Sequence, residues 1–205
     1  MKSKGEMSTN RLEAFSDGVI AIVITIMVFD LKLQSSSEDF SIDDSIRQLL
    51  PNFLSYGVSF IMLALMWVRH HQLFSHVKVA DARLLWLNIL LLFAMSFVPF
   101  GTHLVGIAPL EPQSAVIYSA IFLFSAVSFT LIRSYVSSLS SDRSTRSSNI
   151  HKKTIRRNLI AIGIYILSCV VACYMPIVAY ILITTIPISY FISTFFYGQI
   201  SQQAF

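Results

Sequence analysis

Charge is what this sequence has least of. Asp, Glu, Lys and Arg make up 13% of its 205 residues, about half of the roughly 25% usual in soluble domains. Hydrophobic residues make up 55%, and the mean hydropathy is +0.67. A soluble fold cannot cover that much apolar surface, but a bilayer can, so the composition calls for an all-α integral membrane protein. Cysteine is nearly absent. Cys169 and Cys173 stand four apart in an apolar run, which excludes a disulfide scaffold and offers too few neighbouring ligands for a metal. The seven glycines form no phosphate-cradling loop and no TVGYG potassium filter, and no zinc-protease helix is present. No nucleophile stands with a base and an orienting group, so neither an enzyme nor a cofactor is expected. The net charge of +4 does not point to nucleic acid, because the basic residues cluster in short connections between apolar runs.

Those runs set the architecture. A spanning helix needs about 20 mostly apolar residues, and five such stretches are visible. The last runs for about forty residues, which as one helix would reach roughly 60 Å, twice the hydrocarbon thickness. It must fold back, and Pro176 in CYMPIV is the natural break. The expectation is therefore one six-helix transmembrane domain over 1–205, with spans at 11–33, 46–68, 84–105, 115–132, 158–174 and 176–197 and a kink at Pro187. Asn10, with Glu13 three residues on, reads as a capping box at the start of the first helix. The basic N-terminus has the outline of a secretory leader. However, Asp17 interrupts the junction, no small-x-small site follows Phe29, and the run continues as DLKL.

Thirteen of the fifteen Lys and Arg residues lie in the N-terminal segment and in the connections after spans two and four. This bias puts both termini in the cytoplasm of a multi-pass cell-membrane protein. The opposite face is acidic, with Asp30, Glu38, Asp39, Asp43, Asp44 and Glu111. It is either a solvated loop or a mouth that concentrates cations. Asp30 stands out because it ends span one. The serine-rich loop at 137–149 reads as a tether.

Span one, RLEAFSDGVIAIVITIMVFD, has two faces. At about 100° per residue, Arg11, Phe15, Gly18, Ile22, Ile26 and Phe29 form a stripe with Thr25 on its flank, while Ser16 and Asp17 point elsewhere. A carboxylate at the membrane edge is costly without partners. Trp67, His70 and His71 near the end of span two, Asn88 in span three, and Arg11 are the partners in reach. Two readings stay open. Ser16 and Asp17 pin span one to its neighbours, or Asp17 and the histidines relay protons for a carrier. Adjacent histidines point apart on a helix and have no carboxylate three or four residues away, so no metal site is expected there.

The pattern R-x-x-x-F-S-D (Arg11, Phe15, Ser16, Asp17), followed by GVIAIVITIMV, resembles the first helix of the transmembrane-protein-175 family, the prokaryotic relatives of the lysosomal potassium channel. W-x-x-H-H-x-x-F, from Trp67 to Phe74, resembles that family's second helix end. The resemblance implies a homotetramer that conducts potassium, with other monovalent cations or protons as alternative permeants. It further implies that its pore is lined by the first helix, without a re-entrant filter. By position it implies apolar rings at Ile22, Ile26 and Phe29, a selectivity contribution from Thr25, and a hydrogen-bonded network of the Arg and Ser-Asp residues behind the pore helix. From the residues alone the same stripe is an ordinary packing face. The competing functions are a proton-coupled carrier using Asp17, His70 and His71, and a non-transporting membrane scaffold.

Overall fold

The computed structural model describes residues 7–31, 42–75, 77, 79–139 and 145–202. Glu38 and Asp39 of the acidic loop, and the centre of the serine-rich loop, lie outside the described residues. Helix α1, Thr9–Ile26, runs into one 3-10 turn, Met27–Asp30. It begins differently from the sequence reading. Met7–Ser8 (β1) pairs antiparallel with Val79–Ala80 (β2), Met7 opposite Ala80 and Ser8 opposite Val79. The chain therefore enters the helix from a strand at Ser8, whose side chain makes no cap. Asn10 lies inside the helix and is exposed, so the expected capping box does not form. The short ladder is also an exception to the all-α expectation, and it ties the start of α1 to the α2–α3 connection.

Helix α2, Ile42–Phe74, is 33 residues long, roughly 50 Å at 1.5 Å per residue, so it outruns the hydrocarbon layer. Its last two turns carry Trp67, Arg69, His70 and His71, which the sequence reading had placed at the span's edge or beyond it. The expected third span is two helices, α3 (Ala82–Ser96) and α4 (Val98–Ile107). Pro99, the second residue of α4, has no N–H to give the carbonyl of Met95. The amide of Phe97 turns instead toward Ala94 O, at 3.4 Å, and Met95 O. Asp81 starts α3 by accepting from the Leu84 amide at 2.9 Å.

Helices α5 (Pro112–Leu139) and α7 (Pro176–Gln202) both begin on proline, where the missing N–H costs nothing. Helix α6 spans Thr145–Ala172. After it the chain reverses in three residues, and Ser168 Oγ donates to Ala179 O at 3.1 Å across the turn. Helix α7 continues through Pro187. Helix α5 is central and touches α3, α4, α6 and α7, whereas α1 packs against α2, α3 and α4 on one side only. Small residues allow close approach, since Ala115, Ala172 and Ala179 are fully buried together. Ser59, Thr102 and Tyr118 join their hydroxyls at 2.7–2.8 Å between α2, α4 and α5. Five helical stretches are long and apolar enough to cross a membrane, and Pro176–Tyr190 is a shorter apolar helix. This is a helical integral membrane protein.

Candidate functional site

Burial along α1 follows the helical period. Leu12, Ser16, Ile20, Val23 and Met27 are buried against the other helices. On the other side Phe15 is 57%, Ile22 64%, Ile26 49% and Phe29 69% exposed. Arg11, Ala14, Gly18, Ala21 and Thr25 lie on this bare face as well. A Cβ added at Gly18 would meet nothing within 4 Å. The exposed Thr25 hydroxyl donates back to its own helix, with Ala21 O at 2.9 Å and Ile22 O at 3.1 Å. Asp30 closes the 3-10 turn beyond Phe29.

The buried side of α1 ends in a directional hydrogen-bond chain. Ser16 Oγ donates to Leu12 O at 2.9 Å. A carbonyl can only accept, and a hydroxyl has one proton, so Ser16 must accept from its other partner. That partner is Asn88 Nδ2, at 2.9 Å. The amide's orientation is then fixed, and Asn88 Oδ1 receives His70 Nε2–H at 2.8 Å. One carbonyl thus sets the His70 tautomer through two intervening residues. Ser16, Asn88 and His70 are fully buried. His70 stacks on Phe74, with centroids 4.3 Å apart, and its Nδ1 has no partner among the described residues.

Nearer the surface, α1 and α2 meet in two rungs. Trp67 Nε1 donates to Asp17 Oδ1 at 2.8 Å, and His71 Nδ1 lies 2.5 Å from Glu13 Oε1. Glu13 and Asp17 are four apart on one helix, and Trp67 and His71 are four apart on the other, so each pair shares a face and the pairs meet in antiparallel order. The two rings of α2 stack at 6.2 Å.

Of the residues singled out from the sequence, Ser16, Asp17, Trp67, His70, His71 and Asn88 are brought together, as separate pairs and one chain. Arg11 and Phe15 are not. Both are exposed on the bare face, and among the described residues Arg11 makes no hydrogen bond. Glu13 was missed as a partner because it had been read as part of a cap. Its spacing from Asp17, matched by that of Trp67 and His71, was the available signal.

Residues 11–99 match the family described as endosomal/lysosomal potassium channel TMEM175, a range that contains every member of this network. A potassium channel of Chryseobacterium sp. (strain P1-3) is 35% identical over 173 residues, covering 84% of this chain and 87% of that one. The chain belongs to the TMEM175 family. A crystal structure of a lysosomal potassium-selective channel TMEM175 homolog from Chamaesiphon minutus superposes with a TM-score of 0.81 at 28% identity, covering 91% of this chain and 97% of that one. The endosomal/lysosomal proton channel TMEM175 of Gallus gallus is 36% identical over 106 residues, which is 48% of this chain and 21% of that protein. In this TMEM175 chain the polar chemistry lies behind α1 and the apolar stripe in front of it. Such a helix can present hydrocarbon to whatever it faces while a buried network sets its rotation.

Proposed function

We propose that this chain is a potassium-preferring cation channel, a homotetramer of six-helix subunits in the cell membrane with both termini cytoplasmic. Four copies of α1 line the pore. The observation that carries this reading is the bare stripe of α1, opposite a fully buried polar network, in a chain whose relatives are named potassium channels. Exposed apolar side chains alone would suit lipid equally well. Ala14, Gly18 and Ala21 on the same stripe favour close approach of another helix, and the family likeness supports a pore. Ile22 forms the narrowest ring, Ile26 and Phe29 lie further out, Thr25 sits between them, and Asp30 stands at the outer mouth. An apolar neck of this kind stops conduction by dewetting until it widens.

The test is potassium flux in liposomes. Ile22→Ala and Ile22→Asn should each raise leak several-fold by widening or wetting the neck. Unchanged flux and selectivity in both would remove Ile22 from the pore. Protons are a second candidate permeant, since the Gallus gallus relative is named a proton channel. The carrier reading requires a proton path between Asp17 and the histidines. Against it, the hydrogen bond of Asp17 goes to the Trp67 indole, which can donate but not accept. Asp17→Asn should therefore weaken the fold without abolishing ion flux, whereas a carrier would lose its pH-driven uptake.

A further inference from the structure

Away from α1, three helices bring arginines together, and among the described residues no acid meets them. Arg69 of α2 lies with its guanidinium carbon 4.4 Å from the Phe129 ring centroid and 4.3 Å from that of Tyr190. Arg157 of α6 lies 4.5 Å from the same Tyr190 ring. Arg133 is one turn beyond Phe129 on α5 and therefore on the same face. Among the described residues the one acid–base contact at ion-pair distance is Glu13–His71, so none of these three arginines is paired with a described carboxylate. Among the described residues, the acceptor Arg69 finds is the neutral amide oxygen of Asn158, which accepts from its Nη2 at 2.6 Å and from the Tyr190 hydroxyl at 3.4 Å.

Asn158 supplies the second observation. It is 3% exposed, and its Nδ2 has no partner among the described residues. It lines a cavity of 40 Å³ shared with Arg69, Thr130, Tyr165 and Tyr190, more than the roughly 10–15 Å³ that one water needs. A buried donor without an acceptor and the Arg69 cation without an anion line one cavity and lack the same thing, and Arg157 stacks on Tyr190 of its wall. Cations at this depth are expensive unless they are paired.

We propose that this cavity binds a phosphate group. One phosphate oxygen is held by Asn158 Nδ2 and Arg69, and Arg157 and Arg133 form the positive rim. Guanidinium pairs well with phosphate oxygens, and basic pockets between transmembrane helices take anionic head groups. The source is either an anionic phospholipid reaching in from the bilayer or soluble phosphate. The proposal goes beyond the channel reading and is tested by binding, so its failure would leave that reading untouched.

The full-length protein in neutral detergent is titrated with phosphatidylglycerol, phosphatidylcholine or inorganic phosphate while its thermal midpoint is followed. Phosphatidylglycerol should raise the midpoint and phosphatidylcholine should not. Arg157→Gln, a change at an exposed side chain, should raise the half-saturating lipid concentration at least tenfold. Asn158→Asp places a carboxylate against Arg69, so it should raise the lipid-free midpoint and abolish the lipid response. If inorganic phosphate reproduces the effect with the same dependence on Arg157, the ligand is soluble phosphate and the site stands. Equal responses to both lipids without any response to phosphate, or full responses in both variants, would overturn it.

Discussion

Ser16→Ala is the sharpest test of the chain behind α1. The change deletes the acceptor of Asn88 Nδ2 and leaves that group buried. Leu12 O loses little, because its intrahelical partner, the Ser16 amide, remains. An orphaned buried donor costs about 1–3 kcal/mol. Hydrogen bonds between membrane helices average only about 0.6 kcal/mol in double-mutant cycles and reach about 1.7. The lower figures arise where the unfolded chain or lipid-exposed groups find other partners. Here Ser16, Asn88 and His70 are all at 0% exposure, so the upper end of the range, about 1.5 kcal/mol, is expected. Asn88→Leu should cost at least as much, because it strands His70 Nε2–H. In the double variant the orphaned Asn88 amide is gone, so the two costs should fall short of additive by about 1 kcal/mol. The assay is reversible unfolding of detergent-solubilised protein in SDS, followed by helicity at fixed protein concentration. Costs that add within about 0.3 kcal/mol, the behaviour of independent sites, would refute the chain. Asp17–Trp67 serves as the internal contrast, since its bond is exposed and its coupling should be smaller.

Gly106→Ala should destabilise by about 1–3 kcal/mol, because its Cβ would fall 2.1 Å from Asn52 Oδ1 and 3.3 Å from the Asn52 backbone. Gly57→Ala, with nothing within 4 Å, should be neutral or stabilising in the same unfolding assay, and equal losses would contradict the α2–α4 packing. Asp81 lies outside the spans, and its carboxyl is held below its ordinary value by the Tyr135 hydroxyl and then by the Leu84 amide. A native pKa below the unfolded value of about 3.9 contributes stability that is complete above that pH and lost as pH falls through the native value. The thermal advantage of the wild type over Asp81→Ala should therefore be constant from about pH 5 to 7 and shrink below about pH 4, and a gap that does not narrow there would count against the bond to Tyr135.

The two faces of α1 were legible because a helix of this length repeats its pattern several times. Ser16 and Ile22 separate by rotation alone. The hydrogen-bond partners were legible as a set but not as pairs, since which nitrogen meets which oxygen depends on how α1, α2 and α3 are rotated against one another. Two-residue strands carry too little pattern to read, so β1 and β2 were invisible, and with them the reason that Asn10 does not cap. Pro99 was in plain view, but an apolar stretch of the right length hides a break when neither half is polar. Arg69 was misplaced for a related reason. A single charge near the end of a run reads as the end of the run, yet here it is kept within α2 by two aromatic rings and an amide.

The same geometry makes α1 unequal along its length. Its lower half is fixed by three directional bonds to neighbouring helices, Ser16 to Asn88 and the two rungs to Trp67 and His71. Rotating it by even one residue position would break most of them, because each depends on a particular atom. Its upper half is held by Ile20, Val23 and Met27, through contacts that depend on distance but little on angle. Between membrane helices such contacts have no hydrophobic driving force beyond what lipid itself offers. The network therefore does not need to touch Ile22 to govern it. It sets the rotation of the helix, and that rotation decides which side chains form the bare face. The Asp30 end remains the part that can shift at least cost.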